Sequence, residues 1–335
     1  MECKERVIRA IQMSGPDRPP RRDGVWPGAR AKYGDALLEL YRRYPSDVLF
    51  VRSLDEHEDA EFPPLGQTAV DRWGCRWARA SEDSMGYVVE HPLADWSSFK
   101  EYHIPEPLWS DFDRVRNSIE EDTGRHYVLV DGGQLVQRLW RLRGMENVFV
   151  DLAEECEELY TLRDGILDFN LRRLERWAGT KVDGIFFRDD WGTQTGLMIN
   201  PSLWRAFFKP AYRRMFSAAH EVGAFVHFHS DGVVHDIILD LIDIGVDVLN
   251  VQATLMGIQD LGRELAGRVC VEGDLDRQVV LPYGSTDEVA AHVHEYVGAC
   301  GGRKGGFIGF VEVSPTVPLT NLEAALRTLW VYRYY

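Results

Sequence analysis

The sequence predicts an α/β protein, a (β/α)8 barrel of the TIM type with an irregular N-terminal arm and elaborations. From residue 126 onward, strand-like runs alternate with helical segments at intervals of roughly 25 to 50 residues, which is typical of a parallel sheet. Two of these runs end in ionisable residues, as strands do where parallel sheets bind ligands. No G-x-G-x-x-G turn follows a strand, which disfavours a dinucleotide-binding fold.

We treat residues 1–335 as one domain, with 1–125 as the arm and elaborations and 126–335 as the regular part. Residues 14–34 are rich in Pro, Gly and Arg and predict an extended, irregular arm. A short amphipathic helix over 35–44 and a strand over 47–51 follow. Residues 53–110 predict loops and short strands packed over the barrel, because their aromatic content is too high for disorder.

In the regular part, apolar runs predict the strands, and caps and breakers predict the helix ends. Asn200 and Pro201 begin a helix that Pro210 kinks and Gly223 ends. Further helices are expected over 285–298 and from Leu319. The predicted strands are residues 127–130, 185–187, 224–229, 247–251, 269–272 and 307–311.

Composition excludes several classes of partner. The formal net charge of −15 argues against nucleic acid and against an anionic membrane, since both need a basic surface. No signal peptide is apparent, and no apolar run approaches the ~20 residues of a membrane span. The five cysteines are scattered without a C-x-x-C pair, as reduced thiols of a cytoplasmic protein would be: Cys3, Cys75, Cys156, Cys270 and Cys300.

The run at residues 224–232 carries the strongest functional signal. Side chains alternate along a strand, so His227 and His229 share one face. His229 is predicted at the barrel mouth as a metal ligand or acid–base group, because imidazole is the side chain whose ordinary pKa lies near neutrality; a structural hydrogen bond is the alternative. His227, one layer deeper, is either a substrate contact or a core residue. Asp231 either completes a metal site with His229 or caps the next helix.

The second such run, residues 184–192, places Arg188 and Asp190 on one face and Asp189 on the other. Its apolar residues should face the helices, which directs Arg188 and Asp190 into the barrel. A structural ion pair is the alternative, but buried ion pairs add little net stability. We therefore predict Arg188 and Asp190 as catalytic residues, together with His229.

Three further residues are expected to contact substrate. Trp191 and Gln194 should line the rim, one for stacking and one for polar contact. Asp274 follows the predicted strand 269–272, where it orients a ligand or caps a turn.

Several motifs together resemble one known family. They are the opening residues 5–7 with Pro16–Asp17–Arg18–Pro19, residues 142–146, residues 189–192 with 200–201 and 209–210, residues 229–232 with 247–250, and residues 306–308 with Pro318 and Asn321. In these motifs the chain resembles the uroporphyrinogen decarboxylase superfamily, which also contains cobalamin-linked methyltransferases acting on thiols. The resemblance implies a (β/α)8 barrel with its site at the carboxyl ends of the strands.

The chain also departs from both characterised branches. Uroporphyrinogen decarboxylases carry an Arg-Gln-Ala-Gly-Arg motif that binds propionate groups, whereas this chain has Arg18, Arg21 and Arg22 in its arm. Arg22 is therefore a substrate-binding candidate.

The thiol methyltransferases bind zinc through a His-x-Cys pair and a later Cys. Here the pair reads His229-x-Asp231, and the later position falls on Val311, beside Glu312. The resemblance thus makes His229, Asp231 and Glu312 the candidate metal ligands.

Three functions are expected. The first is methyl or one-carbon transfer to a small-molecule acceptor, with a divalent metal such as zinc and a corrinoid carried by a partner protein as methyl donor. The second is a decarboxylase or lyase acting on a small carboxylate other than uroporphyrinogen, in which Asp190 stabilises a cationic intermediate and Arg188 binds the carboxylate. The third is a ligand-binding barrel without catalysis. The oligomeric state, for which a homodimer is one option, is left open.

Overall fold

The computed structural model describes residues 1–52, 63–81, 86–302 and 304–334. Its eleven described strands are β1 (Arg21–Val25), β2 (Val48–Val51), β3 (Ala69–Val70), β4 (Arg76–Ala78), β5 (Tyr87–Glu90), β6 (Tyr127–Gly133), β7 (Gly184–Arg188), β8 (Phe225–Ser230), β9 (Val248–Val251), β10 (Cys270–Asp274) and β11 (Phe307–Val313).

Eight of these strands form one parallel sheet in the order β1-β11-β10-β9-β8-β7-β6-β2. The sheet curves into a nearly closed barrel with the helices around it, which confirms the predicted (β/α)8 fold. Strands β3, β4 and β5 form a separate antiparallel sheet.

The helices alternate with the barrel strands, as parallel pairing requires. Among the described residues, none of them is long and apolar enough to cross a lipid bilayer. They are α1 (Cys3–Ile11), α2 (Pro27–Arg43), α3 (Trp109–Asp122), α4 (Val136–Arg143), α5 (Met145–Ala153), α6 (Glu157–Glu175), α7 (Pro201–Phe207), α8 (Lys209–Glu221), α9 (His235–Asp243), α10 (Ala253–Met256), α11 (Ile258–Leu265), α12 (Val280–Tyr283), α13 (Thr286–Cys300) and α14 (Leu319–Val331).

Helix ends follow local sequence closely. The Asn200 side chain accepts a hydrogen bond from the Ser202 N–H at 2.8 Å, as an N-cap does. Pro210 does more than the predicted kink, because it stands in the first turn of α8 after α7 has ended. Ser285 begins α13 with a complete capping box.

Two hydrophobic clusters divide the interior. The larger lies between the sheet and the helices, and strand β8 contributes Val226 and Phe228 to it. The smaller lies inside the barrel, where Val7 and Ala10 of α1 pack against the first residues of several strands. Helix α1 therefore closes the amino-terminal end of the barrel and leaves the opposite end as the mouth.

The N-terminal predictions need one correction. Residues 14–34 are not wholly irregular, because β1 lies within them and pairs with β11, and a first helical segment of α2 begins at Pro27. Helix α2 is broken at Gly34, which has φ +47°, and the segment after the break is the helix predicted over 35–44. The sequence did not predict β1 because two of its five residues are arginines, which are buried here although a buried strand is normally recognised by apolar residues. The prediction for residues 53–110 is confirmed where they are described, by the sheet β3-β4-β5; residues 53–62 and 82–85 lie outside the described residues.

Asp47 joins the two ends of the barrel sheet. Its N–H donates to the Arg21 carbonyl at 3.0 Å, and its carboxylate accepts from the Arg21 N–H at 2.9 Å. The same carboxylate is completely buried and accepts from the guanidinium groups of Arg6, at 2.6 Å, and Arg18, at 2.8 and 3.0 Å. One carboxylate thus binds β1 to β2 and holds the N-terminal segment against both.

We expect Asp47→Ala to lower the free energy of unfolding by about 3–5 kcal/mol, because it leaves buried guanidinium groups without their anion. Urea denaturation measures the loss. Glu323→Ala is the matched control, since it removes the exposed ion pair with Arg43 and should change stability by less than about 1 kcal/mol. Equal losses in the two variants would contradict the role assigned to Asp47.

Candidate functional site

Three side chains converge at the mouth of the barrel, and we call them the histidine–aspartate cluster: Asp190, His229 and Asp231. The His229 Nε2 atom lies 3.7 Å from Asp190 Oδ1 and 3.6 Å from Asp231 Oδ1. One donor atom from each residue lies within 4.8 Å of the others. The side chains of His229, Asp190 and Asp231 are 17, 30 and 36% exposed, so the cluster is open to a ligand from the mouth.

Asn250 fixes the orientation of the His229 ring. The Asn250 Nδ2 group donates to the Glu272 carbonyl at 2.8 Å, which directs Oδ1 toward His229 Nδ1 at 2.7 Å. An amide oxygen only accepts, so Nδ1 of His229 carries the proton. In the neutral ring, Nε2 then presents its lone pair to the two carboxylates.

Asp190 is held from both sides. Its Oδ1 accepts from the Asp231 N–H at 3.0 Å, and its Oδ2 accepts from Gln137 Nε2 at 2.5 Å. The carboxylate is therefore positioned by the β8 loop and by helix α4.

Asp231 is bound by Arg277, whose Nη2 lies 3.0 and 3.1 Å from its two oxygens. The Nη1 group of Arg277 donates to Glu312. Burial lowers the pKa of Arg277, but the surrounding carboxylates, with Asp274 first, raise it above its usual value. The alternative capping role for Asp231 is wrong, because α9 begins at His235 without a side-chain cap.

The predicted set of metal ligands changes accordingly. Glu312 is directed to the Arg277 guanidinium and is not part of the histidine–aspartate cluster. Asp190, predicted only as a catalytic group, takes the third position. Val311, where the family places a later cysteine, is completely buried.

The loops that carry Asp190 and Asp231 touch through two glycines. A Cβ added at Gly192 would lie 2.4 Å from the backbone of Gly232, and one at Gly232 would lie 2.2 Å from the backbone of Gly192. Gly232 also has φ +79°, which favours glycine. Only two residues without side chains allow this approach.

The structure confirms that Asp189 and Asp190 face opposite ways. Asp189 is buried toward the helices, where it accepts from the Leu135 N–H at 2.8 Å and from the Tyr212 hydroxyl at 2.7 Å. Burial raises the pKa of Asp189 to about 7. Arg188 faces the mouth, aligned with His229 in the sheet, and its Nη1 lies 3.6 Å from Asp131 Oδ1.

Two predicted substrate contacts, Trp191 and His227, are corrected by burial, and a third, Gln194, is not. Trp191 is not at the rim; it is completely buried, and its Nε1 donates to the Tyr212 hydroxyl at 3.1 Å. His227 is a core residue that shares a hydrogen bond of 2.8 Å with the Tyr127 hydroxyl, and burial lowers the pKa of His227 to about 4. Gln194 is exposed in the loop after β7, as expected for the rim.

Arg22 also differs from the prediction. Its Nε and Nη2 donate to the Glu272 carboxylate at 2.7 and 2.6 Å, and its guanidinium lies over the Phe310 ring at 4.0 Å. Both residues are buried inside the barrel. Burial raises the pKa of Glu272, but Arg22 lowers it below its usual value. Arg22 therefore serves Glu272 rather than a ligand at the mouth.

Asp274 lies at the mouth as predicted, at the end of β10 and beside Arg277 in a small pocket. Burial raises the pKa of Asp274 to about 7.

Sequence reasoning missed three residues of the site. Asn250 is the one polar residue of β9, and a polar residue in an otherwise apolar strand could have indicated a site residue. Gln137 had no signal, because α4 meets the mouth only in three dimensions. Arg277 had a weak one, as a cation three residues beyond a strand that ends in carboxylates.

Two solved structures illustrate the range of likeness among the matches. A methyltransferase from Methanosarcina mazei matches with a TM-score of 0.74 at 15% identity, covering 98% of each chain. Xylanase 10B from Thermotoga maritima matches with a TM-score of 0.47 at 10% identity, again over 98% of each chain. The first likeness supports the barrel fold, and the second carries no functional argument. A search of curated proteins gives no match.

The comparison with protein families is more specific. The model described as uroporphyrinogen decarboxylase (URO-D) matches residues 140–329, which is more than half of the chain. This stretch includes all three residues of the histidine–aspartate cluster, together with Asn250 and Arg277. The chain therefore belongs to the uroporphyrinogen decarboxylase family.

Proposed function

We propose that this protein transfers a methyl or other one-carbon group to a small thiol acceptor, at a divalent metal held by the histidine–aspartate cluster. The observation that carries the proposal is the convergence of His229 Nε2 with one oxygen each of Asp190 and Asp231. Family membership supports an enzyme, and the similar Methanosarcina structure is named a methyltransferase.

The donor set fits a divalent cation. Imidazole nitrogen and carboxylate oxygen are ligands of zinc and of harder metals. The separations of 3.6 and 3.7 Å are slightly longer than the roughly 3.4 Å between ligands of a tetrahedral ion with bonds of about 2.0–2.1 Å. Metal-binding histidines commonly donate their second N–H to a fixed acceptor, and Asn250 Oδ1 has that position.

Each residue of the site has a defined role in the proposed reaction. A bound divalent cation would supply the Lewis acidity that lowers the pKa of the acceptor's thiol. His229 offers Nε2 because Asn250 holds the proton on Nδ1. Arg277 orients the Asp231 carboxylate, and Gln137 orients that of Asp190.

We further propose a corrinoid, carried by a partner protein, as the methyl donor. Helix α1 and the interior cluster fill the amino-terminal end of the barrel, so a donor can reach His229 only from the mouth. The open exposure of the histidine–aspartate cluster is consistent with that approach.

One observation favours decarboxylation or lyase chemistry as the second candidate. Arg188 is directed to the mouth and aligned with His229 in the sheet, where it could bind a substrate carboxylate near Asp190. In that reaction Asp190 would stabilise a cationic intermediate. Metal content separates the two candidates.

We expect the purified protein to bind one divalent metal ion, and His229→Ala to abolish the binding, because it removes the one nitrogen ligand. Asp190→Asn and Asp231→Asn should weaken it. Asn250→Ala should lower the affinity by about 10- to 100-fold, since the ring loses its orientation.

Elemental analysis and calorimetry with Zn²⁺ measure these effects. His235→Ala is the matched control, because His235 pairs with Glu264 on the exposed side of α9. Protein that binds no stoichiometric metal after careful loading would favour the lyase or the ligand-binding alternative.

We expect metal-loaded protein to demethylate methylcobalamin when a small thiol is supplied, with formation of the thioether. The rate should fall at least about 100-fold in His229→Ala, because the variant loses the metal that would activate the thiol. A 100-fold loss corresponds to roughly 3 kcal/mol of transition-state stabilisation. Loss of methylcobalamin absorbance under anaerobic conditions measures the rate. Equal rates in wild type and His229→Ala would place the reaction elsewhere.

Uroporphyrinogen decarboxylation should be absent or very weak. An octa-anionic substrate needs several converging cations, because desolvated carboxylates are costly without donors. The arm cannot supply them, since Arg18 binds Asp47, Arg21 binds Asp23 and Arg22 binds Glu272. Anaerobic incubation with uroporphyrinogen followed by counting of product carboxylates tests this prediction. Efficient formation of coproporphyrinogen would show that the arm supplies the cations after all.

A further inference from the structure

A small polar pocket adjoins the histidine–aspartate cluster, between the loops that follow β9 and β10. It includes the side of Arg277, whose Nη2 also contacts Asp231. Gln252 connects the two regions as well, because its Oε1 accepts from the Gly232 N–H at 2.9 Å. The pocket is lined by Gln252, Thr254, Leu255, Asp274, Arg277 and two further residues of the β10 loop.

Asp274 is the unusual member of this pocket. It is 4% exposed, and its Oδ1 is covered without a hydrogen-bond partner. Within the described part of the chain, no hydrogen bond or ion pair to either of its oxygens is found. A buried carboxylate without a hydrogen-bond donor is strongly unfavourable. The position of Asp274 therefore favours a partner that comes from outside the chain.

The neighbours of Asp274 are already engaged. Asp276 accepts from the N–H groups of Gln278 and Val279 at 2.9 and 2.8 Å. Arg277 directs Nη1 to Glu312 and Nη2 to Asp231. The charges therefore do not balance, because one guanidinium stands among the carboxylates of Asp231, Glu312 and Asp274.

We propose that this pocket binds an ammonium group of the acceptor, with Asp274 as its partner, so that the acceptor of the proposed reaction is a small aminothiol. The inference rests on the proposed function for the position of the thiol, at the histidine–aspartate cluster. A cation completes the charge of the pocket, whereas a sulfonate or carboxylate would meet three carboxylates and a guanidinium that is already paired.

Three short thiols test the charge preference: 2-aminoethanethiol and 2-mercaptoethanol, which are nearly equal in size, and the larger 2-mercaptoethanesulfonate. Calorimetry with the zinc-loaded full-length protein should show the cationic thiol binding at least about tenfold more tightly than the neutral one, as a buried charge-assisted hydrogen bond implies. The anionic thiol should bind most weakly.

Asp274→Asn should abolish this preference, so that the cationic and the neutral thiol bind about equally. Asp276→Asn is the matched control, because it removes the same charge from the same pocket while an amide oxygen still accepts the two backbone N–H bonds. That variant should keep the preference.

Thermal unfolding provides a second readout of the Asp274→Asn variant. If Asp274 awaits a ligand, the variant unfolds at the same or a higher temperature, because an unpaired buried carboxylate has been removed. A lower unfolding temperature would indicate a structural role and overturn the inference.

The outcomes separate the inference from the proposed function. Thiol binding without a preference for the cation, or with a preference for the anion, overturns the inference and leaves the proposed function standing. If no thiol binds, ethylammonium alone is the probe. Ethylammonium binding that depends on Asp274 then supports the pocket and overturns the thiol reaction, and its absence overturns both.

Discussion

The barrel depends on the buried carboxylate of Asp47. A sheet closes into a barrel only when its first and last strands meet at a fixed tilt and stagger, and here Asp47 bonds Arg21 of β1 through both its N–H and its carboxylate. Because Arg6 and Arg18 donate to the same group, closure also anchors the N-terminal helix. Closure curves the sheet and brings the ends of β7, β8, β10 and β11 to a common mouth. The seam itself lies between β1 and β2, at the two ends of the strand order.

The alternation of side chains allowed much of this to be predicted. It directed Arg188 to the mouth correctly, because β7 remains regular through Arg188, and the alternation continues for the next two residues, Asp189 and Asp190. It failed at Trp191, which lies beyond the end of that strand, where the period of two no longer applies. It could not decide between ligand and core for His227, since both histidines share a face and only depth distinguishes them. The capping role of Asp231 was equally plausible until the position of Arg277, far away in sequence, was known.

The site differs chemically from the one that the family resemblance implies. Where the family resemblance implies cysteine thiolates, this chain has Asp231 beside His229, and Asp190 in the loop after the neighbouring strand. Carboxylates are harder ligands than thiolates and bind a wider range of divalent metals. Two carboxylates would balance the charge of a divalent ion, so the positive charge on Arg277 lies outside that balance and belongs with Glu312 and Asp274. The mouth thus contains two adjoining regions with different chemical groups, one around the His229 imidazole and one around the Arg277 guanidinium.

The contact between Gly192 and Gly232 has a consequence for recognising similar sites in other sequences. The two glycines set the separation of the loops, and therefore the distance between the Asp190 and Asp231 carboxylates. A chain that keeps His-x-Asp but replaces either glycine cannot keep the same spacing, because a Cβ atom would meet backbone that has no room to move. The diagnostic pattern is consequently bipartite: Asp-x-Gly after one strand together with His-x-Asp-Gly at the end of the next. Barrels that carry only the second half should be classed separately, whatever their overall similarity.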